Sequence, residues 1–147
     1  MNSRDRVSAA LRRQVPDRVP WCELAVDRAL AQRLMGWGPQ VSEAYNMEAH
    51  PFSLEESLAV AEHLGLDNLS YVLRAPVYAE KIPGKDGRLF YGDGMLHTRD
   101  DLHLLQLPDP HDDDLYAGAA EFVRHKGDYS AWFITRMGIF PTTLSMG

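Results

Sequence analysis

The chain has 147 residues, with 15 Lys+Arg against 21 Asp+Glu and a formal net charge of −6. Charged residues make up 24% and hydrophobic ones 45%, a globular balance that excludes a disordered chain. A mildly acidic chain without a Lys/Arg run has no electrostatic footprint for nucleic acid or for an anionic membrane surface. The single cysteine, Cys22, excludes a disulfide framework and a self-contained zinc finger, and fits a reducing compartment. With no apolar run of about 18 residues and no signal-peptide core behind Met1-Asn2-Ser3-Arg4-Asp5-Arg6, the expected location is the cytoplasm.

The first expected element is a helix capped by Asn2 or Ser3, with Val7, Ala10 and Leu11 on one face, ended by Pro16. The apolar run at 19–26 is too short and too unpatterned for a helix and reads as a buried strand. Asp27 caps a second helix with Leu30, Ala31 and Leu34 as its apolar residues and Gly36 as its stop. After an irregular stretch at 37–51, Ser53-Leu54-Glu55-Glu56 has the form of a capping box. Leu54, Leu58, Ala61 and Leu64 make the face of the helix it starts, and Gly65 closes it.

Residues 68–73 read as a second buried strand. Segments 77–82 and 88–91 flank Pro83-Gly84-Lys85-Asp86-Gly87, turn chemistry for an antiparallel β-hairpin inserted over about 77–98, with 95–98 as a short third strand. A helix with Leu115, Ala119, Phe122 and Val123 on one face follows Pro108-Asp109-Pro110 and ends at Gly127, and 129–134 is a third apolar strand. Strands separated by helices imply a parallel sheet with right-handed crossovers. The expectation is one α/β unit over 1–147, with about three parallel strands, covering helices and the inserted hairpin. No helix remains to cover the third strand, so the unit is expected to be the front part of a larger fold.

Three stretches resemble one family. Arg4-Asp5-Arg6-Val7 through Ala10-Leu11, followed by Pro16-Asp17-Arg18-Val19-Pro20, is similar to the N-terminal signature of the uroporphyrinogen decarboxylase superfamily. Leu107-Pro108-Asp109-Pro110 before an acidic helix start, and 133–141 with Gly138 and Phe140, resemble later family segments. The resemblance implies a partial (β/α)8 TIM-barrel-like fold, since a whole barrel takes roughly 250 residues. It also implies membership of a group of heme-pathway decarboxylases and cobamide-dependent methyltransferases. The decarboxylases carry an Arg-Gln-Ala-Gly-Arg stretch after the first strand; here Cys22-Glu23-Leu24-Ala25-Val26-Asp27-Arg28 stands there, keeping at most Arg28. Their aspartate after the second strand is replaced by Tyr71-Val72-Leu73-Arg74. These departures point to corrinoid-dependent methyltransferase-type chemistry rather than tetrapyrrole decarboxylation. Zinc and a corrinoid belong, on this resemblance, to the full-length family member, with no cofactor held by this chain alone. The implied partner is an anionic small molecule or a corrinoid protein.

In such a barrel the chemistry sits at the C-terminal ends of the strands, which here offer Glu23 and Asp27, then Arg74, then Thr135 and Arg136. Glu23 and Arg136 are the candidate catalytic residues, an acid to transfer a proton or orient a polar ligand and a guanidinium that, with Arg74, clamps an anionic substrate through bidentate hydrogen bonds. Asp27, Arg28, Arg74 and Thr135 are the candidate substrate-binding groups, the arginines through bidentate bonds to an anion. Against each stands the plainer reading of a solvated loop charge or a local salt bridge. His97, His103 and His111 follow no metal-loop spacing, and Asp112, Asp113 and Asp114 stand where negative charge complements a helix dipole, so no metal site is expected here. Cys22 reads as an inert buried thiol, and Trp132 and Phe133 as core. Two other functions compete: a uroporphyrinogen decarboxylase, and a non-catalytic α/β module that self-associates through an open sheet edge. Either a homo-oligomer or the remainder of the barrel is then the expected neighbour.

Overall fold

The computed structural model describes residues 1–38, 52–73, 78–84, 89–106 and 109–135. Helix α1 (Ser3–Leu11) starts at Asn2, whose side chain accepts from the Asp5 amide. Helix α2 (Arg28–Met35) starts at Asp27, which accepts from the Leu30 amide, and α3 (Leu54–Leu64) starts at Ser53 in a full capping box with Glu56. Gly36 and Gly65 close α2 and α3 at φ of 66° and 71°, left-handed values that cost glycine nothing because it has no Cβ. α1 closes the same way without glycine: Arg13 holds φ at 59°, while the Arg13 and Gln14 amides reach back to the carbonyls of Ala10 and Ala9. The last helix, α4, spans Asp114–His125. No helix among the described residues is long and apolar enough to cross a membrane.

The strands are β1 (Asn68–Leu73), β2 (Ala79–Pro83), β3 (Leu89–Gly94) and β4 (Ser130–Thr135). The fold is mixed α/β: β1 and β4 pair in parallel, from Asn68↔Ser130 to Leu73↔Thr135, and β2 and β3 form the antiparallel hairpin. No barrel closes among the described residues. Alternation along the parallel pair puts Leu69, Tyr71, Ala131 and Phe133 on one face, and Asn68, Ser70, Val72, Trp132 and Ile134 on the other. Helices α3 and α4 both pack on the first face, where Ala61, Leu66, Leu69 and Phe122 form the buried cluster with Tyr71 and Ala131 against it. The Tyr71 ring lies 5.1 Å from Phe122 and 6.1 Å from Phe133. It crosses α4 at Gly118, where any Cβ would run into the phenol oxygen. α1 lies across the foot of the pair: the Arg4 amide donates to the Asp128 carbonyl, just ahead of β4, at 2.8 Å.

The strand expected over 19–26 does not form. Pro20 has no N–H to give to a ladder, and the amides on either side of Cys22 are taken by side chains. The Trp21 amide donates to Asp67 Oδ2 and the Glu23 amide to Asn68 Oδ1, both at 2.9 Å. The segment therefore runs beside the start of β1, tied to it mostly through side chains. The third hairpin strand expected at 95–98 is also absent: the Met95 amide still reaches the Tyr78 carbonyl, but Thr98 and Asp101 then make a capping box that turns the chain into a 3₁₀ helix at Arg99–Leu104. Of the hairpin turn expected at 83–87, Pro83 instead ends β2, and 85–87 lie outside the described residues.

Burial redraws three helix faces. Leu11 is 79% exposed whereas Arg6 is buried in α1; in α2 Ala31 is buried while Leu30 and Leu34 are exposed; in α4 Ala119 and Phe122 are buried while Leu115 and Val123 are exposed. A described parallel sheet two strands wide offers the helices packed on it a narrow apolar strip, and α2 packs on α3 instead, so only the centre of each stripe is covered.

Candidate functional site

The most heavily bonded polar group lies at the foot of β1. The Asp67 side chain is fully buried and meets two guanidinium groups, Arg6 Nη1 at 2.5 Å and Arg18 Nη1 at 2.7 Å. Its oxygens also accept from Arg18 Nη2 at 3.0 Å and from the Trp21 amide. Arg6 in turn holds Asp17 with two bonds, Nε to Oδ1 at 2.6 Å and Nη2 to Oδ2 at 2.9 Å. Burial pushes the Asp67 carboxyl upward, but bonds from the Trp21 amide, Ser3 and Arg6 outweigh it and hold the group below the ordinary carboxylate range. Asp17 is held well below that range, chiefly by Arg6, and Arg6 is raised, chiefly by Asp17. Arg6 and Arg18 of the N-terminal element thus converge on the Asp67 carboxylate, with Asp17 bracing Arg6 from its other side, and clasp α1 and the 17–21 segment to β1.

A second tie joins α2 to α3. Arg28 Nη1 and Nη2 donate to the two Glu56 oxygens at 2.9 and 2.8 Å, the bidentate fork that suits arginine to carboxylate. The guanidinium also lies over Phe52 at 5.3 Å and Trp37 at 6.0 Å. The Arg28 bond is the largest influence holding Glu56 below the usual carboxylate range, and Glu56 raises Arg28. The buried Arg28 is therefore engaged between two helices, and Asp27 beside it caps α2.

Between these ties lies a cavity of about 170 Å³, running along β1 from Asn68 to Val72 and reaching Ile134 of β4. Its other walls are Leu24 to Val26, Phe52, and Ser57, Val60 and Ala61 of α3. Most of this surface is apolar. Its polar groups are already bonded: Asn68 accepts from the Glu23 amide and donates to the Glu23 carbonyl, Ser70 Oγ donates to the same carbonyl, and Ser57 Oγ donates to the Ser53 carbonyl. Glu23 stands exposed at the rim, and its Oε1 accepts from Trp21 Nε1 at 3.1 Å. It sits beside Asn68 and Ser70, level with the first half of β1 rather than with a strand end.

The structure thus brings one expected site residue, Glu23, to the cavity and ties Asp27 and Arg28 into helix architecture. Arg74 and Arg136 lie outside the described residues, as does the Thr135 side chain, although the Thr135 backbone ends β4 opposite Leu73. Sequence reasoning missed Asp67 and Asn68, which organise the foot of β1. The available signal was two polar residues opening an apolar strand directly behind the helix stop at Gly65, together with arginines in need of a buried anion. Cys22 is half-buried, and desolvation first, then Asp67, pushes its thiol upward, away from nucleophilic use.

Among the described residues no three His, Cys, Asp or Glu side chains are grouped to hold a metal. These residues do not fit a zinc site, so no chemical step is assigned to a metal on them. A tetrapyrrole is several times larger than the cavity's 170 Å³, so a corrinoid does not fit within its walls either. Comparison of the chain with protein-family models, curated proteins and solved structures finds no match.

Proposed function

We propose that this chain forms the first strands of a uroporphyrinogen-decarboxylase-like (β/α)8 barrel enzyme with corrinoid-dependent methyltransferase-type chemistry. The observation that carries the reading is the network in which Arg6 and Arg18 converge on Asp67 while Asp17 holds Arg6. The residues behind the resemblance meet at the N-terminal end of a parallel pair, the end that serves stability in barrels, and leave the other end for chemistry. Among the described residues the buried cluster that joins α3 and α4 to the sheet lies on its Leu69 and Ala131 face, which supports the same reading, because a doubly wound sheet carries helices on both faces.

On this reading α1 closes the foot of the barrel, and the face of Asn68, Ser70, Val72, Trp132 and Ile134 turns inward. Glu23, at the cavity rim, moves a proton to or from the methyl acceptor. Arg74 and Arg136, which follow β1 and β4 in sequence, bind an anionic substrate or the corrinoid's carrier protein. Carried by that partner, a corrinoid would supply the methyl group. The exposed Ile82 and Phe90 of the hairpin give the partner an apolar surface to meet.

The test is a methyl-transfer assay on the protein encoded by the whole reading frame. Mixed with methylcobalamin and a small thiol, it should consume methylcobalamin, followed by the visible spectrum, and a Glu23→Gln variant should be slower by about 10²-fold, the usual size of a lost acid–base group. Carbon dioxide release from a tetrapyrrole carboxylate would move the assignment to the lyase branch. Activity in neither assay, with the chain forming a defined oligomer, would favour the self-associating module.

A further inference from the structure

We infer that the cavity beside β1 binds a single-ring, largely apolar molecule whose one polar substituent is a hydrogen-bond donor, of the benzylamine class, facing Glu23. The inference goes beyond the reading above, which gives Glu23 a proton-transfer role but assigns this cavity no ligand. Size comes first: a dry apolar cavity of about 150 Å³ takes up benzene, and this one has about 170 Å³. It therefore matches one ring with a short substituent.

The walls then fix the character of the buried part. Val26, Phe52, Val60, Ala61, Leu69, Val72 and Ile134 offer only apolar surface. The Asn68, Ser70 and Ser57 side chains are bonded to the Glu23 and Ser53 backbones. A ligand polar group placed deep in the cavity would have to break one of those bonds or stay unpaired, and either is costly. The one charged side chain among the described lining residues is Glu23, at the rim. A carboxylate accepts several hydrogen bonds, and the bond from Trp21 Nε1 aligns it without exhausting it. An ammonium or hydroxyl emerging from the cavity meets an acceptor there, whereas a carboxylate of the same shape meets a like charge.

The experiment uses three probes of nearly equal shape, benzylamine, benzoate and toluene, titrated into the ¹⁵N-labelled chain and read by amide chemical shifts. Benzylamine should saturate, moving the amides of Ser57, Ala61, Ser70 and Val72, and benzoate should bind at least about fivefold more weakly, the scale of one charge-assisted bond at a solvent-facing site. Glu23→Gln should erase that preference while leaving toluene binding unchanged. Val60→Phe and Val72→Phe, which fill the cavity from opposite walls, should each abolish binding; Val72 is half-buried on the sheet face, so its variant keeps the test alive if the buried Val60 does not tolerate the change. Equal or tighter binding of benzoate, shifts confined to other parts of the chain, or undiminished binding by a folded filled variant would overturn the inference. Saturable benzylamine binding at these amides upholds it whether or not methyl transfer is found, so the two readings fail separately.

Discussion

Replacing Asp67 by Asn tests the clasp at the foot of β1. The substitution keeps the size of the side chain and one acceptor, but removes the charge and turns an NH2 toward donors. Bonds converge on the carboxylate from Arg6, from both terminal nitrogens of Arg18, from the Trp21 amide and from Ser3, so at least one donor meets a donor in the variant. Arg18 is 47% exposed, and water recovers most of its loss, as for exposed pairs worth about 0–1 kcal/mol. The buried Arg6 loses one of its two carboxylates and keeps Asp17, so the cost there is that of one charge-assisted bond left unmade in the interior, about 2–3 kcal/mol. Against a total stability of about 5–15 kcal/mol for a domain, that loss is large without being fatal. With a urea m-value of about 2 kcal/mol/M, the unfolding midpoint at pH 7 should fall by about 1 M with m unchanged, measured by far-UV circular dichroism. Arg18→Gln should cost less than about 1 kcal/mol. An Asp67→Asn loss below about 1 kcal/mol, or one equal to that of Arg18→Gln, would refute the clasp.

The same carboxylates predict an acid limit. Asp17, Asp67 and Glu56 are all held below their ordinary values in the fold, so the unfolded chain binds more protons and stability rises with pH through their titration. Their contribution is complete above the unfolded value near 4 and drains away as pH falls through the folded values; urea midpoints should hold between pH 7 and 5 and drop below about 4, and a flat profile down to pH 3 would contradict this. Arg13→Gly should raise stability by about 1 kcal/mol in a thermal or urea melt, because a side chain at φ 59° carries a left-handed penalty that glycine lacks; a loss would mean that the Arg13 side chain has a compensating role. Gly118→Ala should destabilise by about 1–3 kcal/mol, the cost of overpacking against Tyr71. In a Tyr71→Phe background the same change should instead stabilise by about 1 kcal/mol through helix propensity, and a double variant as unstable as Gly118→Ala alone would refute the contact.

What was legible in the sequence was local. Asn2, Asp27 and Ser53 cap their helices, and Gly36 and Gly65 close theirs, because caps are chosen by neighbouring backbone groups. The strands at 68–73 and 130–135 are apolar runs that pair as β1 and β4. The 19–26 run misled because apolar content says nothing about who supplies the hydrogen bonds; Asp67 and Asn68, distant in sequence, take the Trp21 and Glu23 amides with their side chains. For the same reason nothing in the local sequence marks Arg6 as buried in α1; its distant partners Asp17 and Asp67 draw it into the interior. Of the candidate site, Glu23 reaches the cavity. Arg28 is drawn instead to Glu56 across the α2–α3 contact, a pairing that no spacing rule within one helix predicts.

The most direct test of the central claim is a crystal structure of the protein encoded by the whole reading frame. The account predicts that 19–26 lies beside β1, that further parallel strands continue the sheet, and that no helix covers the face formed by Asn68, Ser70, Val72, Trp132 and Ile134. A helix packed on that face would make the sheet doubly wound and contradict the barrel.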